Sequence, residues 1–265
     1  QGAMPEYIGK LYSERFFSEE AKQDVEEMAM EIVDFYKERI GALTWMSDTT
    51  KAAALKKLDT LMIKVGYPDS FVCPADQAEI VSPENGGSYF DNTVRLKKAE
   101  KDYNAKLLYE PVDKSEWALE PFTVNAYYTA TSNDITSPAA ILQAPLYDVN
   151  ASFAENLGGI GFIIAHEITH AFDNNGAKFD ENGNAADWWT PEDYNTFNDL
   201  CADMIAFYDS CEGIPGIPMN GTLTLSENIA DQGAVQCITE IESRRESPDF
   251  KTLYTSFAKC MAATT

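Results

Sequence analysis

Both histidines of this 265-residue chain fall in one pentapeptide, His166-Glu167-Ile168-Thr169-His170, set inside the apolar run from Phe162 to Phe172. That run is too long and too continuously apolar for a half-exposed strand, so it predicts a buried helix. A helix turns once per 3.6 residues, which puts positions 166 and 170 on one face about one turn apart, where two imidazoles can share a metal ion. Glu167 flanks that face. It is close enough to take a proton from a water at the metal without occupying a coordination position.

No other imidazole exists to complete such a site, so the third ligand has to be a carboxylate or a thiolate. The five cysteines are Cys73, Cys201, Cys211, Cys237 and Cys260, an odd number with no CxxC pair, and they signal neither a thiolate zinc site nor a dithiol redox centre. A catalytic zinc keeps one position open, so one further protein ligand is wanted. The segment Glu227-Asn-Ile-Ala-Asp231 offers two carboxylates on one helix face. One of them can bind the metal while the other accepts the spare N–H of His166, fixing its tautomer. Asp173, three residues after His170 on the same helix, is a candidate for a similar supporting role. With both histidines committed to metal, a Ser-His nucleophile is excluded.

Composition limits the partners. The chain is 45% hydrophobic, 12% aromatic and 24% charged, within the globular range, and long enough for one large domain or two small ones. A formal charge of -23 with no dense Lys/Arg block argues against nucleic acid. No stretch approaches ~18 uncharged apolar residues, and the N-terminus lacks the pattern of a signal peptide. Gln1-Gly2-Ala3-Met4 reads as a cleaved tag remnant, with Glu6-Tyr7 following as though in mid-protein.

Helical periodicity starts after Ser18, read as its N-cap, continues through Val25, Met28, Ile32 and Tyr36, and ends at Gly41. A second helix is predicted from Asp48 through Leu55, Leu58, Met62 and Val65 to Gly66. Residues 69–87 read as loop, and Asn92 to Leu108 as a Lys-rich solvated helix. Two strands are expected, Phe122 to Tyr128 and Ala139 to Gln143, separated by a polar turn at Thr131 to Thr136. Three further helices are predicted over about 191–209, 224–245 and 249–263.

Taken in order, Leu43-Thr-Trp-Met, Gly66-Tyr-Pro, Val124-Asn-Ala-Tyr-Tyr, Pro138-Ala-Ala-Ile-Leu-Gln, Gly158-Gly-Ile-Gly, His166-Glu-Ile-Thr-His, Trp188-Trp-Thr and Leu223-Thr-Leu-Ser-Glu-Asn-Ile-Ala-Asp span nearly the whole chain. In these words it resembles the catalytic domain of the neprilysin and endothelin-converting-enzyme family of zinc metalloendopeptidases, whose bacterial members include the PepO oligopeptidases. The resemblance implies an α+β, mostly helical, thermolysin-like zincin domain with a small sheet beside the active-site helix. It implies one zinc ion on His166, His170 and Glu227, with Glu167 as general base and Asp231 orienting a zinc-bound histidine. Asn125 and Ala126 match the pair that holds the peptide main chain, and an exposed strand edge can add an extended peptide by backbone hydrogen bonds. The implied partners are small peptide substrates. The implied setting is extracellular or at the cell surface, with cytoplasmic bacterial members as the exception.

The same resemblance divides the chain into residues 5–70, a helical segment joining an N-terminal cap domain, and residues 71–265, the catalytic domain lacking its C-terminal segment. Family members carry, beyond the position of Asp231, a histidine for the oxyanion and an arginine for a substrate carbonyl, and neither has a counterpart here. Losing one oxyanion donor costs about 100- to 1000-fold in rate. The alternative expectation is therefore a domain that holds zinc and peptide with little turnover. The cysteine matching Cys201 pairs, in animal relatives, with one near the family's C-terminus, so Cys201 is expected to be free. Gly233-Ala234 stands where the family has Gly-Gly.

Overall fold

In a computed structural model describing residues 4–262, a short apolar helix lies at the centre of a mostly helical fold with one small mixed sheet. Of the expected tag remnant, residues 1–3 lie outside the described residues. Helices α1 (Pro5–Phe16), α2 (Glu19–Ala42) and α3 (Asp48–Asp59) lead into strand β1 (Met62–Gly66). Helix α4 (Tyr89–Leu107), strands β2 (Tyr127–Thr129) and β3 (Asp134–Pro138), and helices α5 (Phe153–Asn156) and α6 (Phe162–Thr169) follow. A π-helical turn, Leu157–Gly161, joins α5 to α6. Helix α7 (Pro191–Asp209), the hairpin β4 (Glu212–Ile214) and β5 (Ile217–Pro218), and helices α8 (Gly221–Ser243) and α9 (Phe250–Cys260) complete the order.

The expected N-cap at Ser18 is present, its hydroxyl accepting from the Ala21 N–H. From there α2 buries Val25, Met28, Ala29, Ile32, Val33 and Tyr36 in one core with α6, α8, α9 and the sheet. Helix α6 is wrapped by the core on its apolar side: Phe162, Ile164, Ala165 and Ile168 are each no more than 2% exposed. It packs on α2, α8 and the strands β2 and β3. The Tyr36 hydroxyl braces it, 2.7 Å from Thr169 Oγ1 and 3.1 Å from the Ala165 carbonyl oxygen.

Several elements differ from the sequence expectation. The helix expected to run to Gly66 stops at Asp59, and Met62–Gly66 is a strand parallel to β3, with Met62 opposite Asp134. Spacing of three between Met62 and Val65 suits a helix, but pairing with a strand some seventy positions on decides the outcome. Strand β3 occupies the stretch expected as a polar turn, while Ala139 to Gln143 forms turns. β3 is central, between parallel β1 and antiparallel β2, and it is buried throughout. Its polarity is met internally: Asp134 pairs with Lys64 at 3.2 Å and accepts from the Ser132 hydroxyl. Helix α1 falls in the segment 5–70 expected to be helical but ahead of the periodicity that starts after Ser18, and α4 begins earlier than expected, at Tyr89, with Ser88 as its cap. The last two helices run 221–243 and 250–260. All five cysteines are free thiols, Cys201 buried among them.

Candidate metal centre

His166 lies in the last turn of α6 and His170 at its C-cap, still with helical dihedrals (φ -58°, ψ -20°), so both rings project to one side. Their Nε2 atoms are 3.0 Å apart. Helix α8 crosses close to α6. A methyl built on Gly233 would sit 2.7 Å from Thr169 Oγ1, so only glycine permits this approach, and Ala234 beside it is fully buried. The crossing brings Glu227 Oε2 to 3.2 Å from His166 Nε2 and 3.8 Å from His170 Nε2.

Each imidazole has a carboxylate behind it. His166 Nδ1 lies 2.9 Å from Asp231 Oδ1, one turn along α8 from Glu227. His170 Nδ1 lies 2.7 Å from Asp173 Oδ2. Asp173 does not continue the helix as expected. α6 ends at Thr169, where 3.1 and 2.8 Å bonds from the Ala171 and Phe172 N–H groups to the Ile168 and Thr169 carbonyls tighten the chain into a turn. The turn still presents Asp173 to His170, because its other oxygen accepts from the Asn175 and Gly176 N–H groups at 2.7 Å each.

Ser226 was not anticipated from the sequence. Its hydroxyl donates to Asp173 Oδ2 at 2.5 Å, linking α8 to the turn after α6 next to Glu227. Its only sequence signal is adjacency to Glu227, which cannot show a partner more than fifty positions away.

Burial pushes the Asp173 carboxyl upward, but the hydrogen bonds from His170, Ser226, Gly176 and Asn175 outweigh it and hold the group below its ordinary range. His170 shows the complement: burial lowers its pKa, Asp173 raises it, and the balance is upward. Glu167 is 8% exposed, and burial raises its pKa against the opposing pull of the two imidazoles and a Tyr128 backbone hydrogen bond.

This donor set fits a zinc ion. In the tautomer that donates both Nδ1–H groups to carboxylates, the two Nε2 atoms and the Glu227 oxygen would offer three lone pairs to one cation. Tetrahedral zinc with bonds near 2.0–2.1 Å separates its ligand atoms by about 3.3 Å. The observed 3.0, 3.2 and 3.8 Å bracket that value. His166, His170 and Glu227 are also the one metal-capable group of this kind among the described residues.

The three donors open on a cleft of about 520 Å³ whose lining includes Asn125, Ala126, Tyr128, Glu167 and Ser226. Asn125 and Ala126 precede β2 rather than lying within it, since the strand spans only Tyr127–Thr129. Asn125 is exposed, while Ala126 is buried and belongs to the core. β2 pairs with β3 on one side and is the edge strand of its sheet.

A helix-borne His-Glu-x-x-His pair, completed by a glutamate from a second helix and with an aspartate behind each imidazole, matches the metal-site pattern of zincin-type metallopeptidases. Comparison with known proteins agrees. The sequence profile described as Peptidase family M13 matches residues 125–252, and a second profile of the same description matches residues 1–68. The chain belongs to Peptidase family M13. It is 39% identical over 258 residues to a neutral endopeptidase of Lactobacillus helveticus, covering 97% of this chain and 39% of that protein. Mouse neprilysin (Mus musculus) is 37% identical over 239 residues, covering 88% of this chain and 32% of neprilysin. Among solved structures, PepO from Lactobacillus rhamnosis superposes with a TM-score of 0.85 at 36% identity, over 96% of this chain and 40% of that one. The Mycobacterium tuberculosis zinc metalloprotease ZMP1, solved with an inhibitor, gives 0.82 at 33% identity, over 98% and 41%. The chain thus spans about one third to two fifths of the length of these relatives. No helix among the described residues is long and apolar enough to cross a membrane.

Proposed function

We propose that this chain carries the catalytic centre of a zinc metalloendopeptidase that hydrolyses small peptides, with one zinc ion on His166, His170 and Glu227. The observation that carries this reading is the convergence of two Nε2 atoms and one carboxylate oxygen, each imidazole backed by an aspartate. When bound, zinc supplies a water of lowered pKa and polarises the scissile carbonyl. Glu167, beside the cleft and with a raised pKa, takes the proton of the attacking water and returns it to the leaving amine. Asp231 and Asp173 hold the imidazoles in the tautomer that leaves Nε2 free. Asn125 has an exposed side-chain amide that can both donate to and accept from a peptide main chain, and with Ala126 it lies at the mouth of the edge strand.

The same reading assigns residues 5–70 to a segment joining a cap domain and residues 71–265 to the catalytic domain, with the cap and a C-terminal segment as native partners. Family resemblance supports an extracellular or cell-surface setting, cytoplasmic for some bacterial members. The alternative of a binding domain without turnover draws no support from relatives named neutral endopeptidase and zinc metalloprotease. The test is zinc content together with hydrolysis of an internally quenched peptide. One zinc per chain and cleavage that is abolished by chelator and by Glu167→Gln support the proposal. Absence of zinc, or cleavage indifferent to chelator, overturns it.

A further inference from the structure

The turn after α6 is held from beneath by a side chain with no role in the assignments above. Lys57, on α3, is 1% exposed, and its ammonium donates at 2.8 Å to each of the carbonyls of Ala171, Gly176 and Phe179. An ammonium has three N–H donors, so this set is complete and none remains for a carboxylate. The rings of Tyr128, Phe172 and Trp188 stand around it with centroids 5.8 to 5.9 Å from Nζ.

All three carbonyls belong to the turn 171–179, and Asp173 lies within it. The turn is pressed against the end of α6, because a Cβ on Gly176 would meet the His170 carbonyl oxygen at 1.9 Å. Lys57 also reaches the opposite wall of the cleft. Its own carbonyl accepts from Asn133 Nδ2 at 2.9 Å, and Asn133 Oδ1 accepts from the Tyr128 hydroxyl at 3.1 Å. Burying a cation is costly, and an apolar side chain of similar shape fills space at lower cost. What the ammonium adds is three charge-assisted hydrogen bonds of defined direction, each stronger than a neutral one.

We propose that Lys57 is a positioning residue of the metal centre: it fixes the turn that delivers Asp173 to His170, and thereby the orientation of one metal-binding imidazole. This rests on the zinc-site reading. Zinc affinity by competition with a chromophoric chelator, and the visible spectrum of the cobalt-loaded chain, are measured for wild type, Lys57→Met, Asp173→Asn, their double variant and Lys64→Met. Lys64→Met is the control, removing a buried ammonium that pairs with Asp134 at 3.2 Å.

The expected result is a 10- to 100-fold loss of zinc affinity in Lys57→Met with an altered cobalt spectrum. The double variant should bind no more weakly than Asp173→Asn, because both changes act through one carboxylate. Lys64→Met should keep wild-type affinity. Unchanged affinity in folded Lys57→Met, or additive losses in the double variant, overturns the proposal alone, whereas absence of zinc from the wild type overturns the site reading and this proposal with it. Where Lys57→Met does not fold, Lys57→Gln, which keeps amide donors, is held to the same criteria. Failure of both to fold while Lys64→Met folds assigns the lysine to the fold and overturns the proposal.

Discussion

The Nε2 atoms of His166 and His170 lie 3.0 Å apart, and each ring has its Nδ1 within hydrogen-bond distance of its own carboxylate, Asp231 or Asp173. In the tautomer that donates both Nδ1–H groups to these aspartates, the two Nε2 lone pairs and the Glu227 carboxylate are free to bind one divalent cation. Binding of zinc to the folded chain is therefore expected to raise its stability. Free zinc at 100 times Kd adds about 2.7 kcal/mol, or roughly 5 °C or more in melting temperature for a chain of this size. His170→Ala and Glu227→Ala should each abolish that shift. A melting temperature indifferent to zinc in the wild type would contradict the metal assignment.

Glu167 separates binding from chemistry. It adjoins both histidines, yet it is absent from the convergent donor group. Glu167→Gln should therefore keep zinc stoichiometry at one per chain while peptide hydrolysis falls by about 100- to 10,000-fold. Loss of zinc along with activity would instead make Glu167 part of the metal-holding set.

The metal centre was legible because its spacing is local: positions 166 and 170, and 227 and 231, share a helix face whatever surrounds them. The pairing of the two helices was not, since it depends on the glycine at 233 and a crossing that no periodicity encodes. Asp173 was found for an incomplete reason. Its offset of three from His170 suits a helix, but the helix has already ended, and backbone N–H groups of the turn do the orienting. Strand β3 was hidden because Asp134 and Thr136 read as turn residues, and the charge that makes the burial of Asp134 tolerable comes from Lys64, distant in sequence. Ser226 and Lys57 were invisible for the same reason, since their partners are distant in sequence.

The two supporting aspartates should differ in what else they hold. The Asp173 side chain is 2% exposed and takes four hydrogen bonds, whereas the Asp231 side chain is 47% exposed. Asn in place of either is expected to weaken zinc binding about 10- to 100-fold. Asp173→Asn alone should also lower the melting temperature of the zinc-free chain, because an amide cannot accept from all four donors. Equal melting temperatures for the two zinc-free variants would contradict that distinction.

Acid sensitivity has a specific origin away from the cleft. Asp193, near the start of α7, accepts from the Ser47 N–H at 3.1 Å and from the Ser47 hydroxyl at 2.5 Å, joining the N-termini of α3 and α7. The Ser47 hydroxyl first, then Thr50, hold its pKa at about 2 against an ordinary 3.8. The folded state thus binds the proton less readily than the unfolded chain, so the stabilisation is complete above pH 4 and is lost as pH falls through about 2. Asp193→Asn should melt below the wild type at neutral pH, and the gap should narrow as pH is lowered from 4 to 2. Thermal melts of both proteins over that range check this, and a gap that stays constant down to pH 2 would remove Asp193 as the titrating group.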